Sequence, residues 1–294
     1  MAQYNIDSRH STTNIAGRDQ INHYYTSMSG SSNHQQPALS FNDAPIDLLS
    51  SHFTGREDEL VGIGKGLGTS HGNAPTRYAL HGMPGVGKTQ LALQFAQLSY
   101  NRRQYELVFW ISGATVEKLN QGFAKVLTLV GHPDYSNSDQ SIRLTSARRW
   151  FEEPNVNGSG PCNWLLVLDN ISQDSVSFLR EHLPRKNSSG NILFTTRTRA
   201  VAEAVTTVAG QQHHVMELLV PDLEHAMNQL LKEAGFTDPV ATSMDGAEAL
   251  VKCIGRLPLA ISHAASFAKQ SHNRLDVVLY LYQSKHKYDV GFGS

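Results

Sequence analysis

The sequence predicts an α/β protein: a parallel five-stranded sheet with helices on both faces, followed by a small helical bundle. Three observations predict it. Five short segments rich in β-branched or aromatic residues alternate with longer segments of helical spacing. One of the five contains Leu165-Leu166-Val167-Leu168, an unbroken apolar run suited to a strand buried on both faces. After Pro221 the strand signature stops while helical spacing continues.

The elements follow in order. From Met1 to about Pro37 the chain is dominated by Ser, Thr, Asn, Gln, Gly and His, too poor in large apolar residues to offset the entropy of ordering, so residues 1–45 are expected to be an arm. Phe53 to Leu60 reads as a turn followed by an acid-rich helix start. The run Gly62 to Gly68 reads as a loop after that short helix. It offers no register for Gly-x-Gly-x-x-Gly, which excludes a dinucleotide fingerprint.

The expected strands are Arg77 to Gly82, Glu106 to Ser112, Asn163 to Asp169, Asn191 to Thr196 and His213 to Leu218. The expected helices between them are Thr89 to Leu98, Val116 to Val130, Ser141 to Phe151, Val176 to His182 and Ala200 to Val208. Leu223 to Ala234, Met244 to Ile254, Leu259 to Ala268 and Leu275 to Gln283 make up the bundle. The division expected is thus 1–45, 46–220, 221–288 and a tail at 289–294.

Composition narrows the class. The 294 residues are 40% hydrophobic and 17% charged with a formal net charge of -1, so nothing global draws the chain to nucleic acid or anionic lipid, and no specific nucleic-acid partner is expected. Cys162 and Cys253 make no disulfide framework or metal-spaced pair. The start of the chain lacks a basic region followed by an apolar run, and no stretch reaches the roughly 18 apolar residues of a membrane span. A cytoplasmic protein without a membrane partner is the expectation.

Gly82-Met83-Pro84-Gly85-Val86-Gly87-Lys88-Thr89 matches Gly-x-x-x-x-Gly-Lys-[Ser/Thr] between a predicted strand and a predicted helix. The glycines let backbone N–H groups turn inward on phosphate oxygens, and the helix start adds its positive end. Lys88 supplies a cation near the β- and γ-phosphates, and Thr89 a hydroxyl for Mg²⁺. Gly82, Gly85, Val86, Gly87, Lys88, Thr89 and Gln90 are therefore the expected phosphate-side contacts.

A second metal-side group is expected at Asp169, which closes an apolar strand about 80 residues after Thr89. Alone, such an Asp is more often a turn or helix cap; paired with a phosphate loop it reads as the Walker B acid. Lys88 and Asp169 are the candidate catalytic pair, and Thr89 and Asp169 the candidate metal ligands. Asn170 follows where a second acid would orient and deprotonate the attacking water. Arg197 ends the strand Ile192 to Thr196 at the same edge, placed either for a surface ion pair or for the terminal phosphate. His213-His214 point to opposite faces of one strand, so a zinc site is not expected; Arg102-Arg103 and Arg148-Arg149 read as solvated charges.

Taken in order, these motifs resemble the NB-ARC module of the STAND class of P-loop ATPases. Phe53-Thr54-Gly55-Arg56-Glu57 is similar to the family's opening motif, Gly82 to Thr89 to its Walker A, Leu165 to Asp169 to its Walker B, Phe194 to Arg197 to its "TTR" sensor, and Gly255 to Ala260 to "GLPLA" with Arg256 substituted. Trp164 to Asn170 resembles wording common in fungal and bacterial members. The resemblance implies ADP or ATP with Mg²⁺ held between the α/β domain and the helical subdomain. It places Arg56 and Pro258 near the adenine and Arg197 near the terminal phosphate. Pro258 also suits a helix start, where its missing N–H costs nothing. Adenine over guanine rests on the resemblance too, since no Asn-Lys-x-Asp motif is present. Members usually continue into a winged helix with an "MHD" histidine, which this chain does not reach.

The resemblance implies a signalling switch, of innate-immunity or heterokaryon-incompatibility type, acting through a homo-oligomer or a downstream signalling protein. With Asn170 in place of an acid, slow ATP hydrolysis at most is expected. Two alternatives stand beside it: a turnover ATPase, and an assembly scaffold with a vestigial site. The last would use Asn14 to Asn22, which resembles the amyloid-templating motifs of some fungal NOD-like receptors, although a solvated tail is the leading reading of so polar a segment.

Overall fold

The structure, a computed structural model, describes residues 39–69, 72–154, 162–187, 189–208, 211–236, 241–271 and 274–290. The Asn14 to Asn22 segment and the last four residues lie outside them. In chain order the elements are β1 (Phe41–Asn42), α1 (Glu57–Leu67), β2 (Thr76–His81), α2 (Lys88–Asn101), β3 (Leu107–Ser112), α3 (Val116–Leu129), α4 (Gln140–Glu152), β4 (Trp164–Ile171) and α5 (Ser175–His182). There follow β5 (Gly190–Thr196), α6 (Arg199–Thr206), β6 (Thr207–Val208), β7 (Gln211–Gln212), β8 (His214–Glu217), α7 (Leu223–Ala234), α8 (Ala241–Cys253), α9 (Pro258–Gln270) and α10 (Leu275–Val290).

The main sheet has six strands in the order β1-β3-β4-β5-β2-β8, and every pairing is parallel. This corrects the expectation of five. The sixth strand is β1, two residues inside the span expected as arm, paired Phe41↔Leu107 and Asn42↔Val108. A strand so short carries no period-2 signal. Tertiary contacts hold it instead: Phe41 meets Phe109 edge to face at 5.2 Å, and Lys125 reaches Asp43 at 2.5 Å. A small antiparallel pair, β6 with β7, also takes the residues after α6 where the expected helix ran on to Val208.

The alternation of β4 builds both layers. Trp164, Leu166 and Leu168 face a core shared with α3, α4, α5 and α6, while Leu165 and Val167 face one shared with α1 and α2. All five are completely buried. Parallel strands covered on both faces have no solvent side, so the apolar run has no polar interruption.

The second correction lies at Gly62 to Gly68, where α1 continues to Leu67 rather than giving way to a loop. Close packing explains the glycines. A Cβ on Gly66 would sit 2.4 Å from the Tyr78 ring, and one on Gly62 would sit 2.9 Å from the Met216 methyl. Removing side chains from that face lets the helix lie directly on β2 and β8, with Ile63 and Leu67 driven into the core.

The last four helices close around their own core, which includes Leu230, Leu250, Ile261, Ala264 and Val278. Because β5 lies between β2 and β4, the turn after β2 and the ends of β4 and β5 open at one edge of the sheet. The bundle meets that edge: the Leu259 N–H at the start of α9 donates to Gly85 O at 3.2 Å.

Candidate nucleotide site

The turn from β2 to α2 is made by glycines in the left-handed region, with φ of 146° at Gly82, 79° at Gly85 and 102° at Gly87. At Gly82 space is also decisive, since a Cβ would fall 2.5 Å from Leu218 O. Gly87 is the N-cap of α2 and makes no side-chain cap, so N–H groups of the first helical turn remain directed outward for a ligand.

Lys88 folds back over this turn, its Nζ donating to Gly82 O at 2.7 Å and Met83 O at 2.9 Å. An ammonium has three donors, so one is left for an anion. Burial lowers the Lys88 pKa below its ordinary value, the Arg197 guanidinium lowers it further, and Asp169 partly opposes both. Two cations facing a single carboxylate favour an incoming phosphate.

Beside Lys88, hydroxyls converge on Asp169. Thr89 Oγ1 donates to Asp169 Oδ1 at 2.9 Å and Thr195 Oγ1 to the same oxygen at 2.6 Å. Thr195 also accepts the Asn170 N–H at 2.8 Å, which leaves its own proton for Asp169. Asn170 adopts φ 59°, where the pairing of β4 with β5 shifts register. Among the described residues no hydrogen bond reaches Asp169 Oδ2. The Thr89 lone pairs and this free carboxylate oxygen are the hard-oxygen donors that Mg²⁺ takes alongside phosphate and water, so the residues fit that ion.

These groups line a cavity of about 550 Å³, within the range of roughly 300–1,000 Å³ for small-molecule sites. Of the residues expected from the sequence, Arg56, Gly85, Val86, Gly87, Lys88, Thr89, Gln90, Arg197 and Pro258 lie on its wall. Gly82 and Asp169 stand just behind it and act through Lys88 and Thr89. Arg56 does not extend freely into the space. At φ 81° it donates to Glu59 Oε1 at 2.6 Å and Leu219 O at 2.8 Å, tying the start of α1 to the segment that leads into the bundle. The amide of Gln90 is likewise engaged, accepting from Ser50 N–H at 2.8 Å and donating to Leu48 O at 2.9 Å.

Sequence reasoning missed wall residues contributed from a distance. His225 and Gln229 come from one face of α7, and Thr195 is the penultimate residue of the strand before Arg197. Asp222, the N-cap of α7, holds His225 through the backbone N–H and through Nδ1, at 2.8 Å to Oδ2, which raises the histidine pKa. The only advance signal was the capping pattern, Asp three residues before His, which says nothing about a cavity.

The NB-ARC domain profile matches residues 66–240. The chain belongs to the NB-ARC family. It is 28% identical over 250 residues to a nucleotide-binding leucine-rich repeat (NLR)-like protein of Hyaloscypha variabilis, an alignment covering 80% of this chain and 24% of that protein. The chain therefore spans about a quarter of the length of this curated relative. Among solved structures, the ORC2 protein of Aeropyrum pernix in ADPNP-ADP complexes aligns with TM-score 0.52 at 13% identity, over 83% of this chain and 72% of that one. Drosophila ORC bound to DNA aligns with TM-score 0.55 at 13% identity, over 86% and 70%. Likenesses this distant establish the fold alone, and they agree with the α/β sheet of this NB-ARC chain.

No helix among the described residues is long and apolar enough to cross a membrane.

Proposed function

We propose that this NB-ARC module binds ADP or ATP with Mg²⁺ and works as a nucleotide-dependent switch. The carrying observation is the convergence, on one cavity, of the phosphate loop, the Thr89–Asp169 pair, Arg197 and the start of α9. The phosphates lie on the N–H groups of the glycine turn with the remaining Lys88 donor. Arg197 meets the terminal phosphate and so distinguishes ATP from ADP. Thr89 and Asp169 would hold Mg²⁺, which would supply neutralising charge to the phosphates there.

The bundle reads the loop directly. The hydrogen bond from Leu259 N–H to Gly85 O joins α9 to the turn that must adjust to the phosphates, and Pro258 beside it lines the cavity. ADP holds the α/β domain and the bundle together. Exchange for ATP loosens them so that a second copy or a downstream signalling partner can bind, in immunity-like or incompatibility-like signalling in the cytoplasm. Asn170 is a neutral amide and does not take a proton from water, so hydrolysis is slow and serves to reset the switch.

The test is mass spectrometry of nucleotide carried through purification. One adenine nucleotide per wild-type chain, absent from Lys88→Ala, is the expected result. A nucleotide-free wild type whose thermal stability ignores added Mg²⁺ and ADP contradicts the proposal. Steady ATP turnover that collapses in Asp169→Asn replaces the switch with a turnover ATPase.

A further inference from the structure

Gln90 follows Thr89 by one residue, which moves its side chain about 100° around α2 from the phosphate-facing hydroxyl. Both ends of its amide are occupied by the same short segment. The Oε1 accepts from Ser50 N–H at 2.8 Å, and the Nε2 donates to Leu48 O at 2.9 Å. The assignment of oxygen and nitrogen is fixed by the partners, because a backbone N–H needs an acceptor and a carbonyl needs a donor. The amide thus pairs with residues 48 and 50 as a neighbouring strand would.

That segment leads into a wall of the cavity. Ser50, His52, Phe53 and Thr54 line it, and His52 N–H donates to Ser50 Oγ at 3.2 Å. Lys88, Thr89 and Arg197 line the same cavity and are the groups that would take the phosphates. The lining left for a nucleoside attached to those phosphates includes the Ser50 to Thr54 wall and the start of the bundle.

We infer that Gln90 is a positioning residue for the nucleoside half of the ligand, acting by clamping Leu48 and Ser50 rather than by touching phosphate. The inference rests on the nucleotide reading above and deepens it. It makes the base wall an extension of the phosphate helix: α2 carries Thr89 toward the metal and, one residue later, holds the segment that encloses the base. Base contacts and phosphate contacts then share one rigid element, although they lie about 40 residues apart in the chain.

The clamp can be opened from either side. Gln90→Met keeps length and helix propensity but removes both hydrogen bonds. Ser50→Pro removes the N–H that Gln90 accepts and leaves α2 untouched; Leu49, at φ −70° and ψ 127°, already has the conformation that precedes a proline. The full-length chain is titrated calorimetrically with ADP and with inorganic pyrophosphate, each in Mg²⁺. Each variant is expected to bind ADP about ten-fold more weakly while its pyrophosphate affinity changes less than about two-fold. Where one variant fails to fold, the other decides. Equal loss for both ligands assigns Gln90 to the phosphates and overturns the inference; so does no loss for either ligand, and so does unfolding of both variants. A wild type that binds neither ligand removes the nucleotide reading itself, and is recognised before any substitution is made.

Discussion

The two ends of the cavity are built in different ways. The part proposed for the phosphates comes from consecutive residues, Gly82 to Thr89, whose chemistry is mostly backbone, supplemented by Asp169 and Arg197 at the ends of neighbouring strands. The rest of the wall, proposed to enclose the nucleoside, is assembled from three separated segments, around Ser50 to Arg56, Pro221 to Gln229 and Pro258 to Ser262. The first is a local structure that a strand, a turn and a helix dictate by themselves. The second exists only when α1, α7 and α9 are docked, so it is also the end that a conformational switch can dismantle.

The largest expected effect breaks the phosphate end. Lys88→Ala removes a charge-assisted donor worth about 2–3 kcal/mol, so ADP affinity measured by calorimetry falls roughly 30- to 160-fold with the fold retained. A change to the scaffold should separate stability from binding. Gly66→Ala forces a Cβ to within 2.4 Å of Tyr78, whose ring is buried and stacked at 5.8 Å on His214. Denaturant unfolding is expected to show a net loss of about 1–2 kcal/mol, with the ADP affinity of the folded protein within about two-fold of wild type.

A pH titration sharpens the phosphate end further. Lys88 in the free protein has a lowered pKa, and a bound phosphate raises it, so the protonated form binds more tightly. Affinity is full below the free-state pKa and is lost as pH rises through the bound-state pKa. Between the two, binding takes up one proton, seen as a buffer-dependent calorimetric enthalpy that Lys88→Ala abolishes. The loss begins below the ordinary lysine value of 10.5. The smallest effect belongs to the bundle. Arg256 sits at φ 57° where α8 ends, and Arg256→Gly is expected to stabilise by no more than about 1 kcal/mol, read as a slight rise in Tm.

The same contrast governs what the sequence disclosed. All five expected strands are present; β2 to β5 are largely buried runs rich in apolar residues, while β8 is only partly buried and stands out mainly by its place after α6. Gly82 to Thr89 was legible because a phosphate loop needs particular residues at adjacent positions. The missing strand β1 and the continued helix α1 were illegible for opposite reasons: β1 is too short to have a period, and α1 carries glycines that look like a loop until Tyr78 and Met216 are seen against them. Gln90 could be placed beside the phosphate loop from its position, but not turned toward Leu48 and Ser50, because its partners lie about 40 residues upstream. His225 and Gln229 reach the site only through the packing of α7, which no local pattern encodes.

A single adenine nucleotide is proposed to occupy the cavity between the glycine turn and the start of α9. Titration of nucleotide-stripped wild type with ADP in Mg²⁺ tests it most directly, with pyrophosphate and GDP as comparisons. The prediction is one site per chain, tighter for ADP than for either comparison ligand and lost in Lys88→Ala. Saturable binding that Lys88→Ala leaves unchanged, or no binding at all, would contradict it.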